Sequence, residues 1–563
     1  MRGDTSRTPR SGLPTQTPGR YRGSEESGEV NPLQMSVQMG GVLGASLAAG
    51  ALAVAFEPIG LGWLAPLAMA SLWFLIRGVG AGAVGARGVS FGLTFFLFHV
   101  VWLDASIGLA AWLLLSVAQS MFLAVAALGV RAVSILPAAP MWGAGVWVGM
   151  ESLRAVWPLG GLPWGRLGYT VIDTPWSGAL AVVGVSGSSF LVVLTGFAAG
   201  ETMVRCLGRV EDSRTFWRDG LAAAVVAAVT VALAAISPNV ESSGSIRVAV
   251  VQGGVPGDGT ELVRFRREVT RNHVSATKEL GAKMRLNGQR VELVLWPENA
   301  TAVDPLRDDE THTMIDDAAR AVDAPILVGA IVDGPTPETA YNRGLLWDGR
   351  DHGDHRSAAT YTKQHLVPFG EYIPWRSMIG SWSSRFSLIP RDMQSGPKSP
   401  TISVGGVRFA AAICFDIAYD DVVPEQVRRG AQFVTVQTSN ATFFGTAQLE
   451  QQFAITRARA VESGRSVVVA STNGISAVID PDGSVRRQAP VGSTEFLVDD
   501  VSLSDQLTPA VRWQTTRHGI LTVLAGMGLA WSALLGSRGR STAGRGRRLD
   551  TQNVRAWGSH EPT

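Results

Sequence analysis

From residue 40 to residue 237 this chain returns repeatedly to long apolar stretches that carry almost no charge. They lie at 40–56, 59–76, 88–103, 107–130, 139–152, 176–199 and 220–237, and one more occupies 518–536. Peptide groups in lipid have no water to bond to, so a run of roughly 20 apolar residues satisfies them by forming a helix. Several of these stretches approach that length. The stretch at 139–152 is short and fits a re-entrant segment equally well. A mean hydropathy of +0.17 with 17% charged residues describes a membrane protein that carries a soluble part. The net charge of +2 lacks the basic excess of a nucleic-acid binder.

Arginines orient the array, because connections rich in Lys and Arg stay on the cytoplasmic side. Arg2, Arg7, Arg10, Arg20 and Arg22 occupy the N-terminal tail, Arg77 and Arg87 the second connection, and Arg131 the fourth. Arg205, Arg209, Arg214 and Arg218 follow in the sixth, and Arg538, Arg540, Arg545, Arg547 and Arg548 in the C-terminal tail. The first and third connections hold Glu57 and Asp104 without Lys or Arg, and the fifth mixes Arg154 and Arg166 with Glu151 and Asp173. Eight spans with both termini in the cytoplasm satisfy this alternation. The expected organisation is a disordered basic tail (1–39), a membrane domain (40–240), an extracytoplasmic soluble domain (245–505), an eighth span (516–537) and a basic cytoplasmic tail (538–563). Ala51-Leu52-Ala53 has the form of a cleavage site, but the apolar segments that follow favour an uncleaved first span. Trp157 and Trp164 suit an interfacial aromatic belt.

After residue 240 the pattern changes. β-rich runs at 246–252, 291–296, 325–332, 407–414, 433–438 and 466–470 alternate with helical patterns such as His312–Val322 and Gln448–Glu462, which is the order of an α/β domain. Asp480-Pro481-Asp482-Gly483 reads as a turn between two strands. No Gly-rich phosphate loop, metal-ligand cluster or internal repeat is evident, so no cofactor or metal is expected.

Three reactive side chains stand out in this domain. Glu298 follows the apolar run Leu293–Trp296, and Cys414 ends the run Phe409–Ile413. Lys363 is one of four lysines, beside 49 − 4 = 45 arginines, and sits in a segment of aromatics, Pro and Gly from Tyr361 to Tyr372. Singly, each has an ordinary explanation: a salt-bridging acid, a surface cation, a buried inert thiol. The separations, 363 − 298 = 65 and 414 − 363 = 51 residues, allow each to come from its own strand unit. Together a base, a cation and a thiol are what covalent acyl transfer requires. Cys206, the other cysteine, falls on the opposite side of the membrane in this topology and is not expected to pair with Cys414.

Trp296-Pro297-Glu298, Lys363 within Tyr361–Tyr372, and Cys414-Phe415-Asp416 resemble the Glu-Lys-Cys triad of the nitrilase (carbon–nitrogen hydrolase) superfamily. Thr438-Ser439-Asn440-Ala441-Thr442-Phe443-Phe444-Gly445, Arg457–Glu462 and Ser471-Thr472-Asn473-Gly474 extend the likeness. Such a domain between a seventh and an eighth span resembles the apolipoprotein N-acyltransferase family, as do Glu151–Arg154 and Gly161–Gly165. The resemblance implies an α-β-β-α sandwich, a phospholipid acyl donor, a diacylglyceryl apolipoprotein acceptor, a thioester on Cys414 and a monomer in the bacterial inner membrane. It further implies that Glu371, Asn342, Phe415 and Asp416 support the triad or bind substrate, Asn342 serving equally well as a turn residue. Trp375, Ile379, Trp382, Phe386, Leu388 and Ile389 would form an apolar lid. Three positions depart from the family pattern: Asp416 where Glu is common, Phe415 where Tyr is, and no Trp between Gln252 and Phe265. A membrane-tethered amidase using water as acceptor shares the triad. A transporter would want charges inside its spans, where little but His99 is found.

Overall fold

Six apolar stretches become helices in the computed structural model: α1 (Pro32–Val54), α2 (Leu64–Ile76), α3 (Ala81–His99), α4 (Leu109–Val133), α5 (Ala139–Arg154) and α6 (Ala179–Cys206). The structure describes residues 32–208, 241–256, 265–349, 359–381, 386, 389–397 and 401–556, with 228 and 232. The stretch expected to form a seventh span, 220–237, lies outside the described residues but for two isolated positions, and so do residues 1–31 of the expected tail. Among the described residues, five helices are long and apolar enough to cross a bilayer: Met35–Val54, Ala81–His99, Leu109–Val133, Ala179–Cys206 and Gln514–Ser537. With 16 residues, α5 reaches only about 24 Å at 1.5 Å per residue, short of the ~30 Å hydrocarbon core.

Small residues set the helix spacing, as they must where lipid offers no hydrophobic drive. A Cβ on Gly88 would lie 2.8 Å from the Ala124 Cα, and one on Gly92 2.7 Å from the Ser120 Cα, so α3 and α4 run nearly backbone to backbone. Helix α6 is broken at Gly184, whose φ of +63° leaves the helical region.

Among the described residues the soluble part holds thirteen strands: β1 (Gly244–Gln252), β2 (Leu293–Leu295), β3 (Ile326–Asp333), β4 (Thr339–Trp347), β5 (Thr360–Thr362), β6 (Asp392–Met393), β7 (Ile402–Val404), β8 (Val407–Ile413), β9 (Phe433–Thr438), β10 (Val467–Ser471), β11 (Ala477–Ile479), β12 (Val485–Gln488) and β13 (Glu495–Leu503). One sheet has the order β13-β1-β2-β3-β4-β5, with β6 beside β4, and the other β12-β11-β10-β9-β8-β7. β1-β2-β3 and β8-β9-β10 run parallel. Side chains that alternate along a strand assign the layers. Val248, Val250, Leu293, Leu295 and Leu327 join Phe409, Ala411, Phe433 and Val468 between the sheets, on the side from which Gln437 donates to the Trp296 and Leu327 carbonyls. Ala249, Val251, Val294, Trp296 and Ile326 instead meet Leu280 and Met284 of α7 (Arg266–Leu286) and Ile315 and Ala318 of α8 (Asp309–Val322). On the outside of the second sheet lies α9 (Gln448–Ser463), giving α-β-β-α layering. The last helix among the described residues is α10 (Gln514–Ala556).

Neighbouring segments of the first sheet approach tightly where the candidate site begins. A Cβ on Gly329 of β3 would stand 2.0 Å from the Pro297 carbonyl oxygen and 2.8 Å from the Glu298 Cα. Gly329→Ala is therefore expected to cost about 1–3 kcal/mol through overpacking and to lower the thermal midpoint of the purified protein. An unchanged midpoint would contradict this close approach.

Candidate active site

Glu298, Lys363 and Cys414 each stand just past the end of a strand. β2 stops at Leu295, and Pro297, lacking an N–H, cannot prolong the ladder. Asn299 then takes a positive φ of 57° and turns the chain away, leaving Glu298 in the cleft with its backbone C=O accepting from Thr472 Oγ1 at 3.2 Å. β5 ends at Thr362, and Lys363 is fixed by its own N–H to the Asn342 carbonyl (2.9 Å) and its own carbonyl from the Gly396 N–H (2.8 Å). β8 ends at Ile413. Cys414, expected to end that strand, instead opens a single 3-10 turn, Cys414–Ala418, with φ +52°. For a non-glycine residue that left-handed conformation is strained, and strain of this kind persists where the surroundings dictate it.

The side chains converge on one ammonium. Lys363 Nζ lies 3.2 Å from Glu298 Oε1 and 2.9 Å from Glu371 Oε1, with Lys363 only 1% exposed. Asn342 Nδ2 donates to the same two carboxylates, at 2.7 and 3.2 Å, and the backbone N–H groups of Ser439 and Val367 each donate to one of them at 2.8 Å. Asn342 thus lies in the middle of β4, not in a turn. Burial works against the charged lysine, but Glu298 and Glu371 outweigh it and hold its pKa well above the ordinary value. The Cys414 thiol behaves oppositely. Burial, followed by the negative charge of Glu298, pushes it up to about 12, while Lys363 and a hydrogen bond with Thr438 pull only partly back. The thiol accordingly keeps its proton at rest, so any attack by the sulfur needs a base to remove it.

Asp416 and Phe415 point elsewhere. Fully buried, Asp416 accepts from the Tyr361 hydroxyl (2.8 Å), the His365 N–H (2.8 Å), the Gln364 N–H (3.4 Å) and the Ile413 N–H (3.3 Å). It clasps the segment bearing Lys363 to the turn bearing Cys414, so it orders the site from behind. Phe415 stacks on Trp164, with ring centroids 6.0 Å apart. Trp164, expected at a membrane surface, is buried at 2% exposure because its indole N–H donates to Gln451 Oε1 at 2.8 Å. Trp102 donates to that same oxygen at 3.0 Å, and Gln451 Nε2 donates to the carbonyls of Glu57 (3.1 Å) and His99 (3.0 Å). One α9 side chain thereby joins three connections of the membrane half. Trp157, by contrast, is exposed.

Thr438 and the Ser439 N–H are part of the site although sequence reasoning assigned neither a role; the run Thr438-Ser439-Asn440 had marked their neighbourhood. Of the expected lid, Trp375 is exposed and Phe386 stacks on Phe369 at 5.9 Å, while Trp382 and Leu388 lie outside the described residues. Both cysteines are free. Among the described residues no group of three or more His, Cys, Asp or Glu is arranged to hold a metal ion.

With this geometry in view, similarity to known proteins becomes specific. The family model for the apolipoprotein N-acyltransferase N-terminal domain matches residues 48–198, and that for carbon-nitrogen hydrolase matches residues 247–506. An apolipoprotein N-acyltransferase of Mycolicibacterium smegmatis is 34% identical over 86% of this chain and 84% of its own length. The chain belongs to the apolipoprotein N-acyltransferase family. A second member, from Gloeobacter violaceus, is 29% identical over 90% of this chain and 96% of its own, and a third, from Pseudomonas aeruginosa, 29% over 87% and 95%. This apolipoprotein N-acyltransferase family member therefore has a membrane half and a carbon-nitrogen hydrolase half, and the strand-end cluster lies in the second.

A pH profile checks the state of the thiol. Because its pKa is raised, the thiolate fraction of Cys414 is expected to climb about tenfold per pH unit from neutrality towards about 12. Carbamidomethylation of Cys414 in the wild type, followed by peptide mass, should keep rising past pH 9. A plateau near the ordinary cysteine value of about 8.5 would contradict the description.

Proposed function

We propose that Glu298, Lys363 and Cys414 form the catalytic triad by which this acyltransferase moves a fatty acyl group from a phospholipid to the N-terminal amine of an S-diacylglyceryl-cysteine lipoprotein. The observation that carries this reading is the buried Lys363 ammonium held between Glu298 and Glu371, beside a strained and protonated Cys414.

Glu298 takes the Cys414 proton as Sγ bonds to the ester carbonyl carbon. The Lys363 ammonium then stabilises the oxyanion of the tetrahedral intermediate. Breaking the C–O bond releases a lysophospholipid, whose leaving oxygen takes the proton from Glu298, and leaves a thioester on Cys414. The lipoprotein amine attacks that thioester, the C–S bond breaks, and the amine proton passes through Glu298 back to sulfur. Thioester to amide is downhill, so no nucleotide is needed. Glu371, Asn342 and the Ser439 N–H hold Glu298 and Lys363 in register, and Asp416 holds the two segments together.

The arginine distribution and the five long apolar helices support a multi-pass protein of the bacterial inner membrane. In this reading eight spans place both termini in the cytoplasm and the catalytic half outside it. One copy of the chain carries the whole cluster, in keeping with a monomer. Phe415 against Trp164 puts the nucleophile turn at the membrane half, where both acyl-bearing substrates reside.

The test is transfer to a diacylglyceryl peptide from phospholipid vesicles, read as peptide mass. Cys414→Ser should abolish transfer, Cys206→Ser should leave it intact, and Glu298→Gln should slow it by about 10²–10⁴-fold. Full transfer by Cys414→Ser would overturn the reading, as would free fatty acid forming at the same rate without the peptide.

A further inference from the structure

The turn that begins at Cys414 runs on through Tyr419 to Asp420, where one carboxylate meets groups from three other parts of the fold. Arg166, in the connection between α5 and α6, donates to Asp420 Oδ2 at 2.7 Å, and Arg459 of α9 to Oδ1 at 2.8 Å. His518 of α10 places Nε2 3.4 Å from Oδ2, and Gln514, also of α10, donates to the Asp420 carbonyl. Arg166 and Arg459 are buried, with side chains 2% and 1% exposed. Burial would lift the Asp420 pKa, but the two guanidinium groups hold it well below the ordinary carboxylate value.

The remaining contacts of this turn follow the same division. Arg459 also donates to the Ile417 carbonyl (2.9 Å) and the Ala418 carbonyl (2.8 Å), and its partner Glu462 accepts from the Val185 N–H at 3.1 Å, just after the break in α6. A Cβ at Gly184 would stand 2.5 Å from that Glu462 oxygen, so the break makes room for the carboxylate. Tyr169 donates to the Ala418 carbonyl at 2.9 Å, and Tyr419 to the carbonyls of Gly160 and Gly161 at 3.2 Å. The turn is thus held at two ends. Asp416 ties it to the segment bearing Lys363, and Asp420 ties it to the membrane half.

We infer that Asp420 is a positioning residue that docks the nucleophile turn on the membrane half, so that Cys414 meets acyl groups presented by the bilayer. This rests on the acyl-transfer reading above. It predicts a selective defect. The cluster of Lys363, Glu298 and Glu371 touches neither Asp420 nor Arg166, so the intrinsic chemistry survives their loss, but a displacement of about 1 Å relative to a donor fixed in the membrane costs roughly 100-fold.

The experiment compares two acyl donors on the full-length protein in nanodiscs, reading the Cys414 adduct by intact mass against time. One is the phosphatidylethanolamine of the disc, and the other is p-nitrophenyl butyrate, which arrives from water. Asp420→Asn is expected to slow acylation by phospholipid roughly 100-fold and to leave acylation by the soluble ester within about threefold of wild type, a difference well under one 1.4 kcal/mol decade. Asp420→Glu should recover part of the phospholipid rate. Because Asp420→Asn leaves Arg166 and Arg459 without their carboxylate, Arg166→Gln is run beside it as a second variant and should show the same selectivity. Equal loss with both donors in both variants, or no loss with either, overturns the inference. A wild type that the soluble ester acylates but phospholipid does not would instead defeat the acyl-transfer reading itself.

Discussion

A single ammonium in a place from which water is excluded governs the arrangement of this site. Burying Lys363 is unfavourable unless its charge is met; Glu298 and Glu371 meet it, and Asn342 donates to both of those carboxylates. That demand brings the chain just past the ends of β2 and β5 up against the middle of β4. It also fixes the character of the thiol. Beside two carboxylates Cys414 stays protonated, and in the proposed mechanism it is inert until a carbonyl carbon is close enough for Glu298 to act. A protonated thiol is a poor nucleophile and is slow to oxidise, since the thiolate is the reactive form.

The second constraint is mechanical. Asp416 anchors the turn that begins at Cys414 within the sandwich. Here the same turn also carries Phe415 against Trp164, Tyr419 against the carbonyls of Gly160 and Gly161, and Asp420 against Arg166. The membrane half is therefore part of the framework around Cys414. Breaking one member of such a buried charge cluster leaves a partner unmet, typically worth about 3–5 kcal/mol, so the two halves hold each other in place.

Much of this was legible in the sequence because it depends on local pattern. Apolar runs of membrane length and parallel-strand length gave the two halves, and Glu298, Lys363 and Cys414 were visible because reactive groups at strand ends fall where clefts form. Strand β4 was not legible: Asn342 and Arg343 interrupt its apolar run, and only the fold shows that Asn342 points between two carboxylates. Asp416 read as a shortened acid beside the nucleophile, whereas its four donors are backbone and tyrosine groups from two separate segments. Trp164 read as an interfacial aromatic, but its partner Gln451 lies 287 residues away. Asp420 drew no notice, since its partners Arg166 and Arg459 are distant in the chain and Asp420-Asp421 looks like any solvated acidic pair. Pairings of this kind are set by topology, and no window along one sequence contains them.

The central claim is that the sulfur of Cys414 carries the acyl group between donor and acceptor. Incubating the protein with phospholipid labelled in its fatty acyl chains, without acceptor, and mapping the label by peptide mass before and after neutral hydroxylamine tests it most directly. The account predicts label on the peptide containing Cys414, removed by hydroxylamine and passed on intact when a diacylglyceryl peptide is added. Label on a serine or threonine peptide, or transfer to the acceptor with no labelled protein at any time, would contradict it.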